Sequence, residues 1–222
     1  MLPNHCVVLD LETTGTSPVH NRIIEIGLCE IENGQAVAEW SSLVNPQTRI
    51  SPFIAQYTGI SDALVADAPT FEELAADLHR RLSGRVLIAH NARFDNGFLK
   101  NEFARLGIAF QEKTLCTLKL SRRLYPQHRR HGLDALIERH GLQAEDRHRA
   151  LGDVRMTWEF LRKALAENPP ETVEKELQRI LGKSVDLRTR ALSHCSEDHR
   201  THQDQRLSQQ IHQVVSCSGD VI

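Results

Sequence analysis

The chain has 222 residues, of which 40% are hydrophobic and 25% charged, and its formal net charge is -2. That length allows one domain of ordinary size plus an extension, or two small domains, and the composition is that of a globular chain with material for a real core. It excludes a basic coat over the whole surface, a disulfide framework and a helical membrane span: the 5 cysteines are odd in number and irregularly spaced, and no apolar run approaches the ~20 residues a bilayer requires. Met1-Leu2-Pro3-Asn4-His5 carries neither a basic leader nor an apolar stretch, so a cytoplasmic, reducing setting is expected. One region departs from the average. Between Ser121 and Arg155 stand eight Arg against five acids, with His128, His131, His140 and His148. Such a stretch fits a basic rim facing phosphates, and equally a solvated helix face.

The chain opens on Val7-Val8-Leu9-Asp10-Leu11-Glu12-Thr13-Thr14-Gly15, which reads as a buried strand ending in two carboxylates and a turn. Alternation puts Asp10 and Glu12 on one face, about 7 Å apart along the chain. Two acids there repel each other and resist desolvation, and a divalent cation offsets both costs; a solvated strand end is the simpler alternative. After the loop Gly15-Thr16-Ser17-Pro18, a second strand runs from Arg22 to Glu32, with Ile23, Ile24, Ile26, Leu28 and Ile31 apolar. Asn33-Gly34 is a two-residue hairpin signal, and Gln35 to Val44 is the returning strand. Asn45-Pro46 then breaks the sheet.

Ser51 and Pro52 begin a short helix that stops near Gly59. Thr70 and Glu73 form a capping box for a helix with Phe71, Leu74, Ala75, Leu78 and Leu82 on its stripe, ended by Gly84. Arg85 to Ala89 is a short buried strand, His90-Asn91 a turn, and Asp95 to Leu106 a helix stopped by Gly107. Thr114 to Leu124 reads as helical or mixed, closed by Pro126, and Gly132 to His140 as a short helix ended by Gly141. Arg149 to Glu167 is a long amphipathic helix with Leu151, Val154, Trp158, Leu161 and Leu165 recurring on one face. The order βββαβα followed by helices predicts an α/β domain around a mixed sheet. Asn168-Pro169-Pro170 marks the expected domain boundary, giving a domain over residues 1–168 and an extension over residues 169–222 that starts with a helix from Glu171 to Leu181. No Phe, Tyr or Trp follows Leu161, so a separate core in that extension would be marginal.

Two further segments carry acids suited to a shared site. In His90-Asn91-Ala92-Arg93-Phe94-Asp95, the last residue enters a helix just past a buried strand, at the sheet edge where α/β folds gather ligands. The structural alternative for Asp95 is a helix-start acid favoured by the macrodipole. In His148-Arg149-Ala150-Leu151-Gly152-Asp153, a His precedes a helix and an Asp sits in its first turn. His148 suits general-base work because imidazole titrates near neutrality. Four carboxylates offering only oxygen predict Mg²⁺ or Mn²⁺ rather than Zn²⁺. A pair of such ions ~4 Å apart would activate a water and stabilise the leaving oxygen of a phosphoryl displacement.

In this order and wording, Leu-Asp-Leu-Glu-Thr-Thr-Gly, His-Asn-Ala-Arg-Phe-Asp and His-Arg-Ala-Leu-Gly-Asp resemble the motifs of the DEDD exonucleases, in the subgroup whose third motif carries His. The resemblance covers Cys6 to Ala166 and extends to the proofreading epsilon subunits of bacterial DNA polymerase III. It implies a ribonuclease-H-like fold and 3′→5′ removal of nucleotides from single-stranded or frayed DNA ends, in proofreading or repair. It also implies that Asp10, Glu12, Asp95 and Asp153 hold two Mg²⁺ or Mn²⁺ ions while His148 deprotonates the attacking water. RNA ends are the alternative substrate. The alternative class is a non-catalytic subunit that binds a polymerase or repair partner, against which the presence of all these residues argues. In Tyr57-Thr58-Gly59-Ile60-Ser61, Thr58 stands where relatives commonly carry His, and Cys116-Thr117 stands where many have Asp-Thr. Thr13, Thr14, Thr58, Ile60 and Asn91 are the candidate substrate contacts, with core packing the alternative for Ile60. Gly182 to Arg190, followed by Leu192-Ser193-His194, is weakly similar to the middle of a GIY-YIG nuclease domain, with Arg190 at the position of its catalytic Arg. The tyrosine-bearing strands that name that motif have no counterpart upstream, so an inactive remnant or an interaction segment is expected.

Overall fold

Cys6 and Val8 alternate with Val7, Leu9 and Leu11 along β1 (His5–Thr13), and all five side chains are buried. A strand apolar on both faces belongs inside a sheet with layers above and below it. The computed structural model, which describes residues 2–143 and 147–182, places β1 there. It pairs antiparallel with β2 (Ile23–Glu32) and parallel with β4 (Val86–Ala89). β3 (Gln35–Leu43) adds to β2 and β5 (Thr114–Cys116) to β4, giving a five-stranded sheet in the order β3-β2-β1-β4-β5. The β2–β3 hairpin turns at Asn33 and Gly34 with φ of 51° and 78°, the left-handed pair that matches the twist of the flanking strands. The stretch read as helical or mixed resolves into β5 and then helix α5 (Thr117–Leu124). Three residues are too few to show alternation; pairing with Leu87, Ile88 and Ala89 makes them a strand.

The two faces of the sheet bury separate cores. Val7, Leu9 and Leu11 meet Phe71 and Leu78 of α3 (Phe71–Leu82) and Phe98 and Phe103 of α4 (Arg93–Arg105). The expected capping box opens α3: the Glu73 N–H donates to the Thr70 hydroxyl, and the Thr70 N–H donates to the Glu73 carboxylate at 2.7 Å. On the other face Cys6, Val8 and Ile88 meet Leu120 of α5, Leu136 of α6 (Leu133–His140), and Val154 and Phe160 of α7 (Ala150–Glu167). Val154 and Leu161 are buried as the periodicity of α7 predicts, but Phe160 and Ala164 join them, and Leu151, Trp158 and Leu165 sit half-buried at the margin. The helix touches sheet and helices at once, so its buried arc is wider than one stripe. Truncating Phe160 to Ala would cost about 3–5 kcal/mol.

Helix α1 (Pro52–Thr58) and the one-turn helix α2 (Asp62–Val65) pack over a small third core of Ile24, Ile50, Ile60 and Val65. The prolines at 169 and 170 do end α7, yet the chain continues as α8 (Pro170–Leu181) and folds back onto the same core through Val173, Leu177 and Leu181. Glu176 of α8 accepts from Arg123 of α5 at 3.1 Å. At the boundary expected between residues 168 and 169 the prolines separate two helices, and the shared core continues to Leu181. Cys6, Cys29 and Cys116 are free and buried. Among the described residues no helix is long and apolar enough to cross a membrane. The GIY-YIG-like stretch from Lys183 through Arg190 to His194 lies outside the described residues.

Candidate metal centre

Strand parity starts the site. Asp10 and Glu12 continue the face of β1 that carries Cys6 and Val8, which is the face that α7 covers. In the antiparallel pairing, Asp10 lies opposite Gly27 and Glu12 opposite Glu25. Gly27 is where α7 meets the sheet: a Cβ there would lie 2.5 Å from both the carbonyl carbon of Ala150 and the nitrogen of Leu151. Glycine alone allows main chain to approach main chain so closely. The buried Glu25 fixes the helix end from below, accepting the Ala150 N–H at 2.9 Å and Arg149 Nη2 at 2.7 Å. The residue preceding α7, Arg149, gives no side-chain cap, so β2 supplies the acceptor that the helix start lacks. Asp153, in the first turn of α7, is thereby set beside β1. The carboxylates of Asp10, Glu12 and Asp153 each present a ligand atom, all within 4.8 Å of one another.

Asp95 comes from the first turn of α4 and is buried. It is not in that compact set, although its charge acts on both Asp10 and Glu12. Helix α4 is tied to the β1–β2 loop by Glu102, which is 1% exposed, accepts from Arg22 Nε at 2.8 Å and pairs with Arg105 at 3.2 Å.

The electrostatics show what the cluster lacks. Burial, and then the charges of Asp95, Asp153 and Glu12, push Asp10 well above the carboxylate range. Burial, and then Asp153 and Glu25, push Glu12 up to about 8. Asp95 is pushed up to about 7 by burial, against backbone N–H bonds that pull it down. Arg147 pairs with Asp153 and with Asp134 of α6, and its guanidinium lowers Asp10 and Glu12 without bringing them back to ordinary values. The site is short of positive charge, and its donors are all hard oxygens. That donor set fits a divalent cation.

His148 sits at the turn before α7, half-buried, in a left-handed conformation with φ of 62°. Its ring meets that of Tyr57 from α1 with centroids 4.4 Å apart. Burial first, and then the charge of Glu12, with Asp134 and Asp153 further down, raise the Tyr57 hydroxyl, so this ring borders both the imidazole and the acids.

Thr13 and Thr14 shape the turn after β1: the Thr13 hydroxyl donates to the Gly15 carbonyl at 2.7 Å, and that of Thr14 accepts the Arg22 N–H at 2.9 Å. Asn91 is exposed at the turn leading into α4, with φ of 74°. Thr58 and Ile60, also named as candidate substrate contacts with core packing the alternative for Ile60, are both buried. Ile60 is fully buried in the third core, and the Thr58 hydroxyl donates to Ile54 at 2.9 Å while accepting the Ile60 N–H at 3.1 Å. Both lie at the sharp exit of α1 through Gly59. Glu25, Gly27 and Arg147 escaped the sequence reading; only Arg147, beside His148, carried a local hint. The basic stretch is in place: His128, Arg129, Arg130 and Arg139 line a cavity of about 410 Å³ on α6 and the loop before it.

Residues 7–161 match the RNase_T family, described as exonuclease. A DNA polymerase III PolC-type protein of Caldanaerobacter subterraneus subsp. tengcongensis is 40% identical over 184 residues, which is 83% of this chain and 12% of that protein. Its counterpart in Staphylococcus aureus strain bovine RF122 is 35% identical over 152 residues, 68% of this chain and 11% of the other. The chain thus spans about 12% or less of the length of these curated relatives. Among solved structures, exonuclease X in complex with 5′ overhanging duplex DNA is 28% identical with a TM-score of 0.64, covering 80% of this chain and 99% of that one. Exonuclease I of E. coli in complex with a dA16 oligonucleotide shares the fold at a TM-score of 0.68 and 18% identity, over 78% of this chain and 42% of that one. With the mixed sheet, the acids at the end of its central strand and a match that spans most of the packed body, the chain belongs to the DEDD exonuclease family and has its ribonuclease-H-like fold.

Proposed function

We propose that this chain is a divalent-metal-dependent 3′→5′ exonuclease domain that removes nucleoside monophosphates from single-stranded or frayed DNA ends, in proofreading or repair. One observation carries the reading: Asp10, Glu12 and Asp153 converge with too little counter-charge, beside an imidazole held against Tyr57. Asp10, Glu12, Asp95 and Asp153 would hold two Mg²⁺ or Mn²⁺ ions. Bound there, such ions lower the pKa of a water and stabilise negative charge on a leaving oxygen. The remaining work falls to the chain. His148 takes the proton of the attacking water, a general-base task suited to an imidazole. Its backbone lies outside α7, so the ring can turn while Asp153 stays fixed in the helix, and contact with Tyr57 limits the swing. Arg129, Arg130 and Arg139 offer positive charge to a phosphate backbone. The PolC-type relatives are named as DNA polymerase III, and the structure of exonuclease X holds DNA; both support DNA as substrate, a polymerase or repair assembly as partner, and a cytoplasmic setting.

The test is digestion of 5′-labelled single-stranded DNA and RNA of one sequence, with Mg²⁺, Mn²⁺ or a chelator, for wild type, Asp10→Ala and His148→Ala. A ladder of shortening labelled products on DNA is expected, dependent on metal and lost in both variants. Immediate release of a labelled mononucleotide would reverse the polarity. Activity that survives chelation would end the metal reading, and faster digestion of RNA would replace the substrate.

A further inference from the structure

A cation of the chain itself already rests on one of the clustered acids. Arg147 lies in the turn before α7, and its guanidinium bridges two carboxylates with unlike surroundings. Nη1 donates to Asp153 Oδ1, while Nε and Nη2 both donate to Asp134 Oδ1, at 3.1 and 2.5 Å. The Asp153 side chain is 11% exposed and belongs to the metal centre; that of Asp134, in the first turn of α6, is 81% exposed and stands outside it. A guanidinium is a planar fork with donors on more than one edge, so it can release one carboxylate and keep the other. An exposed pair with Asp134 alone would contribute little to stability. What the arrangement adds is a positive charge on a carboxylate of the cluster, hinged at a second acid.

Charge then decides which cation keeps Asp153. Asp10, Glu12 and Asp153 present ligand atoms within 4.8 Å of one another. One guanidinium offsets a single negative charge there, whereas a divalent ion offsets two and binds oxygen at shorter range. A dication and a guanidinium on the same carboxylate repel each other, so the two compete for Asp153. We infer that Arg147 is a displaceable counter-ion: it neutralises Asp153 in the metal-free chain and swings onto Asp134 when metal binds, so that Asp134 sets how readily the centre loads. The assignment rests on the metal reading above. It concerns the affinity of the centre and not the chemical step.

The probe is Mn²⁺ itself, titrated into the full chain without nucleic acid and followed by the electron paramagnetic resonance of the free ion. Removing the competitor tightens binding: Arg147→Gln raises Mn²⁺ affinity about 10-fold, the low end of the coupling between close charge pairs. Removing the resting place does the opposite, and Asp134→Asn lowers the affinity about threefold, the scale of an exposed ion pair. In the double variant the Asp134→Asn effect vanishes, because no guanidinium is left to move. An arginine that only braces the turn gives another pattern, with Mn²⁺ binding weakened or unchanged in Arg147→Gln. That pattern overturns the inference, as does an Asp134→Asn effect of equal size with Arg147 present and absent. Thermal unfolding is the second measurement. Metal-free Arg147→Gln melts below wild type and gains more in Tm from added Mn²⁺. A smaller gain than in wild type also overturns the inference. If neither wild type nor Arg147→Gln binds Mn²⁺, the metal reading itself fails; equal, measurable affinity in both removes the counter-ion alone.

Discussion

Glu25 and Glu102 are deeply buried, yet the fold treats them and the strand acids Asp10 and Glu12 in opposite ways. Glu102 receives Arg22, Arg105 and the Ile23 N–H; Glu25 receives Arg149 and the Ala150 N–H. Each carboxylate is matched by a cation and a backbone donor, so the chain supplies its own counter-charge. Asp10, Glu12 and Asp153 crowd into one place, and the guanidinium of Arg147, shared with Asp134, leaves Asp10 and Glu12 raised. Burial alone therefore does not mark a working carboxylate. A deficit of partners does, because an acid the protein declines to neutralise has been left for something else to neutralise.

The contrast can be broken at several points. The largest effect is expected at the deficit: Asp10→Asn lowers turnover about 10³-fold, the scale of several kcal/mol of lost charge stabilisation. It also raises the Tm of metal-free protein, because one of the mutually repelling charges is gone; a lower metal-free Tm would erase the distinction between the sets. At the satisfied acids the sign reverses. Glu102→Ala leaves two arginines at a buried site and costs about 3–5 kcal/mol in urea unfolding. A loss under about 1 kcal/mol would mean that water already serves Arg22 and Arg105. Gly27→Ala costs about 1–3 kcal/mol through overpacking against Ala150, and it lowers kcat by lifting Asp153 away from β1. Normal activity with normal stability in that variant would show that α7 is not held where the sheet stops it.

The smallest effect is a pH dependence. In the folded chain Glu12 titrates at about 8 and Asp95 at about 7, whereas unfolded carboxylates titrate near ~4. Between those limits the folded state keeps protons that the unfolded state has released. The stability these groups contribute is complete below about pH 4 and is lost as pH climbs through 7 to 8. Metal-free Tm therefore declines from pH 5 to 8, and added Mg²⁺ restores most at the alkaline end, where the carboxylates are free to bind it. A metal-free Tm that stays flat across that window would remove the charge deficit from the account.

Much of this was legible in the sequence where the cause was local. The hairpin at Asn33-Gly34, the capping box of Thr70 and Glu73, and the exit of α1 through Gly59 follow from neighbouring residues alone. So does the shared face of Asp10 and Glu12, which alternation dictates. What stayed hidden depends on contacts between distant segments. Glu25 lies 124 residues from Arg149 and looks like one more polar residue on a strand. Gly27 shows no turn signal, because its reason is a helix that arrives much later in the chain. β5 is three residues long and became a strand only by pairing with β4. The two readings of Ile60 stayed open because Tyr57-Thr58-Gly59-Ile60 puts an exposed ring and a core side chain three residues apart, a difference decided by the turn at Gly59.

The seam at Gly27 has a mechanical consequence. Where one peptide plane rests on another, helix α7 is unable to advance toward the sheet, and only the breaking of its bonds to Glu25 and of its packing would let it retreat. The gap between Asp153 and the strand acids behaves like a caliper with one fixed jaw: heat, solvent or a distant substitution can open it, and nothing can close it further.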